Sequence, residues 1–241
     1  MDQVTRQKLK KDQFVTVTKS GMDWASENRR PVMVATSILL GFIVLAVGGG
    51  AIYNHRSEQA AIAFGEAMQT YQTPLSQPGE PASAGVKTYG SEVERAKAAN
   101  DLFMAVANRY GATKDGKVAR YFGGLTYMDE GEYSSAESTL KVVAGGWDSD
   151  LGSLAKLALA QLYRQTGRNP QAVDLYDQMT AKPTATVPAG LAQLQLAELY
   201  TSEGKPDQAK QVYAQLKDKD AKGPAGMLAA QKLEPAGPPQ Q

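Results

Sequence analysis

Hydrophobic positions fall into two regimes along the chain. Residues 32–53, VMVATSILLGFIVLAVGGGAIY, form an uncharged run of 22 residues. As a helix rising about 1.5 Å per residue it reaches about 33 Å, enough to cross a hydrocarbon layer of about 30 Å. From residue 54 onward the apolar side chains recur at helical spacing among Ala, Gln, Glu and Lys, and Gly, Asn and Pro break the pattern at intervals of about 35 residues. Runs of Val, Ile and Thr, which would signal strands, are scarce. The pattern predicts an all-α protein, with a single N-terminal transmembrane helix at 31–53 followed by a helical array at 54–233 and a loose tail, EPAGPPQQ, at 234–241.

Charge around the apolar run sets its orientation. Residues 1–30 carry seven cations against four anions, a net of +3, with Arg29 and Arg30 at the membrane edge, while the other flank offers only Arg56. The positive-inside rule therefore keeps the N-terminus in the cytoplasm and exports the rest, a single-pass type II topology with an extracytoplasmic C-terminal domain. A cleaved signal peptide fits less well, because the charged segment ahead of the run is 30 residues long and the run exceeds an ordinary signal core. Ser37, Gly41 and Gly48 share a face of this helix, where another transmembrane helix can approach closely; Gly is also simply common in such helices. The cytoplasmic segment has Phe14, Val17, Thr18, Gly21, Trp24 and Ala25 at helix-like spacing, which suits either a short amphipathic helix on the bilayer or a partly ordered tail.

The exported region repeats. Gly124, Tyr127, Gly131, Ala136 and Leu140 recur as Ala160, Tyr163, Gly167, Ala172 and Tyr176, and again as Ala197, Tyr200, Gly204, Ala209 and Tyr213; the three alanines stand 36 and 37 residues apart. Each offset has a use in a helical hairpin. A small residue lets two helices close, a tyrosine one turn later fills the space beside it, a glycine leaves the first helix with positive φ, and an alanine is the small contact of the second helix. Asn169-Pro170 and Lys205-Pro206 read as starts of second helices, with Asn169 as a cap. The pattern resembles the tetratricopeptide repeat, whose usual length is about 34 residues. Here the repeats fall near 117–150, 153–186 and 190–222, and the extra residues lengthen loops at 145–150 and 182–184. Ser57–Tyr71 and Ser91–Tyr110 read as a degenerate first repeat, 57–110, whose Pro-rich connection 72–90 is unusual for a compact repeat. Pro224–Leu233 reads as a capping helix.

Composition removes most chemistry. With 26 Lys and Arg against 25 Asp and Glu the net charge is +1, without the global field of a nucleic-acid binder. The absence of cysteine removes disulfides, thiol catalysis and thiolate metal sites, and the one histidine, His55, reads as an interfacial polar residue. Residues 111–118, GATKDGKV, approach a phosphate-binding loop, but Val118 lacks the hydroxyl that magnesium needs and a helix precedes the motif where a strand is required, so the segment reads as an inter-hairpin turn. Asp148 and Asp150 read as helix caps. No catalytic pair, metal site or cofactor is expected, and the chain is read as non-enzymatic.

What remains is the surface of the first helices, which in tetratricopeptide proteins lines a concave groove. Carried over by motif position, it comprises Val118, Tyr121, Leu125 and Met128, then Leu154, Leu157, Gln161 and Arg164, then Leu191, Leu194, Glu198 and Thr201. The row is largely apolar and lacks the Lys and Asn that clamp a terminal carboxylate, which suits an amphipathic helix or an unfolded segment. Taken together, a charged segment with Trp24, one anchor, the helix FGEAMQTY just beyond it and about three repeats resemble the YfgM-like ancillary subunits of the SecYEG translocon. That resemblance implies an inner-membrane, translocon-associated protein with a periplasmic C-terminal domain, which works with a PpiD-type periplasmic chaperone and helps exported chains pass to other chaperones. The other function class in view is a scaffold for an envelope complex of division, pilus or cell wall.

Overall fold

The computed structural model describes residues 24–76 and 88–234. The amphipathic positions Phe14, Val17, Thr18 and Gly21, most of the Pro-rich insert and the tail from 235 lie outside the described residues. The chain divides into two units, Met1–His55 and Arg56–Gln241. Helix α1 (Arg29–Tyr71) contains the apolar run. In the first unit its large apolar side chains are uncovered, Leu45 at 74% and Phe42 at 68% exposure, and none of its most apolar window is buried. A helix apolar on all sides and covered by no protein is suited to a lipid environment.

The second unit is built of consecutive antiparallel helices: the end of α1, then α2 (Glu92–Tyr110), α3 (Lys114–Asp129), α4 (Tyr133–Ala144), α5 (Ser149–Gln165), α6 (Asn169–Ala181), α7 (Ala189–Ser202), α8 (Pro206–Lys219) and α9 (Pro224–Leu233). From α2 onward each helix packs on the next, and α3 also touches α5, as α7 touches α9. The order defines three complete hairpins, α3/α4, α5/α6 and α7/α8, and α9 closes the last one. Among the described residues the only extended pairing is an isolated bridge between Leu75 and Tyr89. There the Ser76 amide donates to Tyr89 O at 2.8 Å and the Tyr89 amide to Pro74 O at 3.3 Å, which draws together the two ends of the Pro-rich connection.

The turn inside every complete hairpin has one construction. Gly131, Gly167 and Gly204 have φ of 80°, 72° and 71°, the left-handed region in which a Cβ is unfavourable, and they are the three positive-φ residues among those described. The following amides of Glu132, Arg168 and Lys205 donate back to the carbonyls of Tyr127, Tyr163 and Tyr200 at 2.7–2.9 Å, satisfying carbonyls that the helix end leaves open. Ala136 and Ala172 are fully buried and Ala209 nearly so, in the hairpin contacts their positions predict. A Cβ on Gly124 would come within 2.6 Å of Leu140, so this glycine is set by the closeness of α3 to α4.

The starts of the second helices differ from expectation. Asn169 does not cap α6; Arg168 occupies that position without a side-chain bond, and Asn169 Nδ2 donates to Glu203 Oε1 of the next hairpin at 2.8 Å. Pro170 and Pro206 do sit in the first turn, where a missing N–H costs nothing. Asp148 caps α5 by accepting from the Leu151 amide at 3.0 Å, whereas Asp150 accepts from the amides of Ala185 and Thr186 at 3.1 and 3.4 Å and fastens the 182–188 loop. In both corrections a short polar side chain found a longer-range partner that local sequence cannot display.

Three apolar clusters make the core. Ala60 and Ala67 of α1 pack with Ala99, Phe103, Val106 and Tyr110 of α2 and Ala119 of α3. Phe64, Phe103 and Phe122 have ring centroids 5.3–5.8 Å apart, within the favourable range for aromatic pairs. The central cluster runs from Ala136 through Leu162 and Tyr176 to Leu199, and the last joins Ala197, Ala209, Tyr213 and Leu216 to Ala229 of α9. Covering the final hairpin is what a terminal helix does in a solenoid, where each repeat otherwise buries only its neighbour's face.

Candidate functional site

The first helices α3, α5 and α7 carry the positions expected to line a groove at spacings of three or four residues, so each helix presents one stripe. Tyr121, Leu125, Met128, Leu154, Leu157 and Leu191 are half-buried and rest against the central cluster; Leu194 rests in the same way on the last one. Their neighbours Ala160 and Leu162 are fully buried. Burial raises the Tyr121 hydroxyl above its ordinary pKa, so it stays protonated and can donate.

The polar positions of the row are connected. Arg164 Nη1 donates to Gln195 Oε1 at 3.3 Å, and Gln195 Nε2 to Glu198 Oε2 at 3.2 Å, which links α5 to α7 across the hairpin boundary. Gln161 and Thr201 are exposed. The row is thus apolar on α3 and on the first halves of α5 and α7, with a polar bridge joining the later parts of α5 and α7. Ser37, Gly41 and Gly48 lie on the uncovered part of α1, and a Cβ at either glycine would meet nothing within 4 Å.

Residues that sequence reasoning passed over hold the hairpins in register. Glu137 of α4 accepts from Tyr163 Oη at 3.0 Å, Lys141 Nζ at 2.7 Å and Arg168 Nη1 at 2.7 Å, while the Arg168 guanidinium sits 4.5 Å above the Tyr163 ring. These donors, Lys141 first, hold the Glu137 carboxyl down at about 2. In the next hairpin Glu203 accepts from Asn169 and from Lys205, and Lys205 lies 6.0 Å from the Tyr200 ring. Arg168 and Lys205 each stand five residues after the repeat tyrosine, a recurrence visible in the sequence once the glycine turn is aligned. Asn100 is buried on the face of α2 that also carries Ala99 and Phe103, and donates to Gly123 O and Thr126 Oγ1, both at 2.9 Å. Its signal was an amide on an otherwise apolar helix face.

Burial pushes the Tyr71 hydroxyl up to about 12, with Asp129, which accepts its proton at 3.1 Å, adding to the shift. The 111–118 segment is a tight corner: Thr113 caps α3 by accepting from the Gly116 amide at 3.1 Å, and a Cβ on Gly116 would collide with the Tyr110 carbonyl. Among the described residues no three or more His, Asp or Glu side chains are grouped to hold a metal ion.

The elements and their turns define a tetratricopeptide-like α-solenoid, a fold class that typically serves as a non-enzymatic scaffold for protein interaction. The tetratricopeptide repeat family matches residues 155–186, which cover α5 from its second turn, α6 and the loop after it. Among solved structures the chain is similar to the nearly identical TPR-like repeats of a Podosopora anserina putative kinesin light chain, with 17% identity, a TM-score of 0.52 and 73% of this chain and 84% of that one covered. A glutamine-to-methionine variant of it aligns with 18% identity and a TM-score of 0.53, over 74% of this chain and 84% of that one. At these identities the likeness is one of fold. No curated protein sequence matches the chain.

Proposed function

We propose that the chain is a membrane-anchored, non-enzymatic protein-interaction module that binds apolar segments of other proteins along the face of α3, α5 and α7. The observation that carries this reading is the half-buried row Tyr121, Leu125, Met128, Leu157 and Leu194, apolar side chains on successive first helices that cover the core from outside and offer their other side to a partner. Gln161, Arg164 and Glu198 supply the polar end of the same surface. Residues 31–53 anchor it, the positive flank keeps the N-terminus in the cytoplasm, and the repeats face the periplasm. In its particular form the reading makes the chain an ancillary subunit of the SecYEG translocon, working beside a PpiD-type chaperone on exported chains; the architecture that resembles such subunits supports it.

A photoreactive residue at exposed Gln161, compared with one at exposed Lys210 on the second helix α8, tests the surface in intact membranes. The expected result is adducts with translocon or chaperone subunits from position 161 and few from 210. Adducts with division, pilus or wall proteins would make the chain a scaffold of an envelope complex instead. Equal labelling from both positions would remove the groove reading.

A further inference from the structure

A second surface lies away from the first-helix row. The last turn of α2, the first half of α3, the end of α4 and the turn into α5 enclose a cleft of about 510 Å³, within the range of small-ligand sites. Four cations line it, Arg56, Arg109, Lys117 and Arg120. Its single acidic lining residue, Asp148, already accepts from the Leu151 amide as the cap of α5. None of the four cations forms an ion pair among the described residues. Two of the guanidiniums are fixed by carbonyls at the end of α2: Arg56 Nη2 donates to Arg109 O at 2.5 Å and Arg120 Nη2 to Ala107 O at 3.2 Å. These bonds cover the negative end of the helix and leave the other donors of each guanidinium unspent. On the same cleft stand two exposed apolar side chains, Val142 at 59% and Trp147 at 104% exposure.

A cleft with four cations against one carboxylate, beside an exposed tryptophan, in a chain of net charge +1 is not a general property of the surface. Its place in the sequence indicates the occupant. Arg56 follows Tyr53, the end of the apolar run, by three residues, a rise of about 5 Å along a helix, so in a membrane that holds the run Arg56 stands at headgroup depth. Tryptophan favours that interface, with its ring among the upper acyl chains, and clustered Lys and Arg beside an anchor favour anionic headgroups. We propose that this cleft binds the phosphate headgroup of an anionic phospholipid, with Arg56, Arg109, Lys117 and Arg120 as its cationic cradle and Trp147 and Val142 as an apolar rim entering the bilayer interface; the assignment rests on reading residues 31–53 as an anchor.

The test uses the full chain carrying Trp24→Phe, which leaves Trp147 as the sole tryptophan. It is reconstituted in nanodiscs of phosphatidylcholine, with or without phosphatidylglycerol, containing brominated acyl chains that quench tryptophan at the interface. The expected result is stronger quenching and a blue shift of Trp147 in the anionic discs. Lys117→Gln with Arg109→Gln, neither side chain needed for the carbonyl bonds above, should weaken the dependence on phosphatidylglycerol about thirtyfold while the melting curve stays in place. Equal quenching in neutral and anionic discs overturns the proposal. So does a Trp147 response to inorganic phosphate in neutral discs as large as that to the lipid, because the occupant is then a soluble anion. Failure of the chain to enter neutral discs removes the anchor reading alone; anion-dependent quenching on phosphatidylglycerol vesicles then still decides the cleft.

Discussion

At the scale of single residues the repeat rests on positions where size or φ leaves one answer. Gly124 is such a position, since its absent Cβ would lie 2.6 Å from Leu140. Gly124→Ala should destabilise the fold by about 1–3 kcal/mol through overpacking. In denaturant melts its cost should fall in a Leu140→Ala background, because the vacated space receives the new methyl; simple additivity would show that the two helices do not meet there. Gly167→Ala should cost about 1–2 kcal/mol for a different reason, the left-handed φ of 72°, and shortening Leu140 should not relieve it. Ala172 is fully buried, so Ala172→Leu should lower stability by about 1–3 kcal/mol, whereas the same change at exposed Ala185 should leave the melt unmoved.

At the scale of elements the hairpins are tied to one another by charge as well as by apolar contact. Glu137 joins α4 to α5 and to the α5/α6 turn, and its carboxyl is held at about 2 against an ordinary 4.5. A depressed carboxylate stabilises the folded chain fully above its unfolded pKa, and that contribution is lost as pH falls, since the unfolded chain takes up the proton first. The stability difference between the native chain and Glu137→Gln should therefore be roughly constant from pH 7 to 5 and vanish between about pH 4.5 and 2. At neutral pH it should be about 1–2 kcal/mol, below the usual worth of several charge-assisted bonds because Lys141 is largely exposed. A difference that persists undiminished at pH 2 would assign the effect of the substitution to packing rather than charge. Helix positions themselves were legible from periodicity and punctuation, down to the α9 cap. The ties were not: Glu137, Arg168 and Glu203 look like ordinary solvated side chains, and Asn169 like a helix cap, until the hairpins stack.

At the scale of the whole molecule the expected behaviour concerns topology. A reporter active only in the cytoplasm and fused after residue 241 should be silent, and one fused ahead of residue 1 should be active, if the +3 flank holds the N-terminus inside. The reverse pattern would place the groove and the cationic cleft on the opposite side of the membrane.

The sequence by itself determined the apolar helix, the all-α class, the repeat and its register, because each follows from interactions within a few turns of one chain: a 22-residue uncharged run, the 3.6-residue period, a glycine at each turn and an alanine at each close contact. The same period also marked the stripe of apolar positions on each first helix. Only the tertiary structure decided how far those leucines are already spent on the core, since burial depends on what the neighbouring hairpin covers. It alone brought Asn100 to Thr126, Asn169 to Glu203 and Asp150 to the 182–188 loop. It also gathered Arg56, Arg109, Lys117 and Arg120, spread over 65 residues of sequence, around one cleft. Such bonds and clusters are set by which helix ends meet in space, and short-range periodicity carries no record of that.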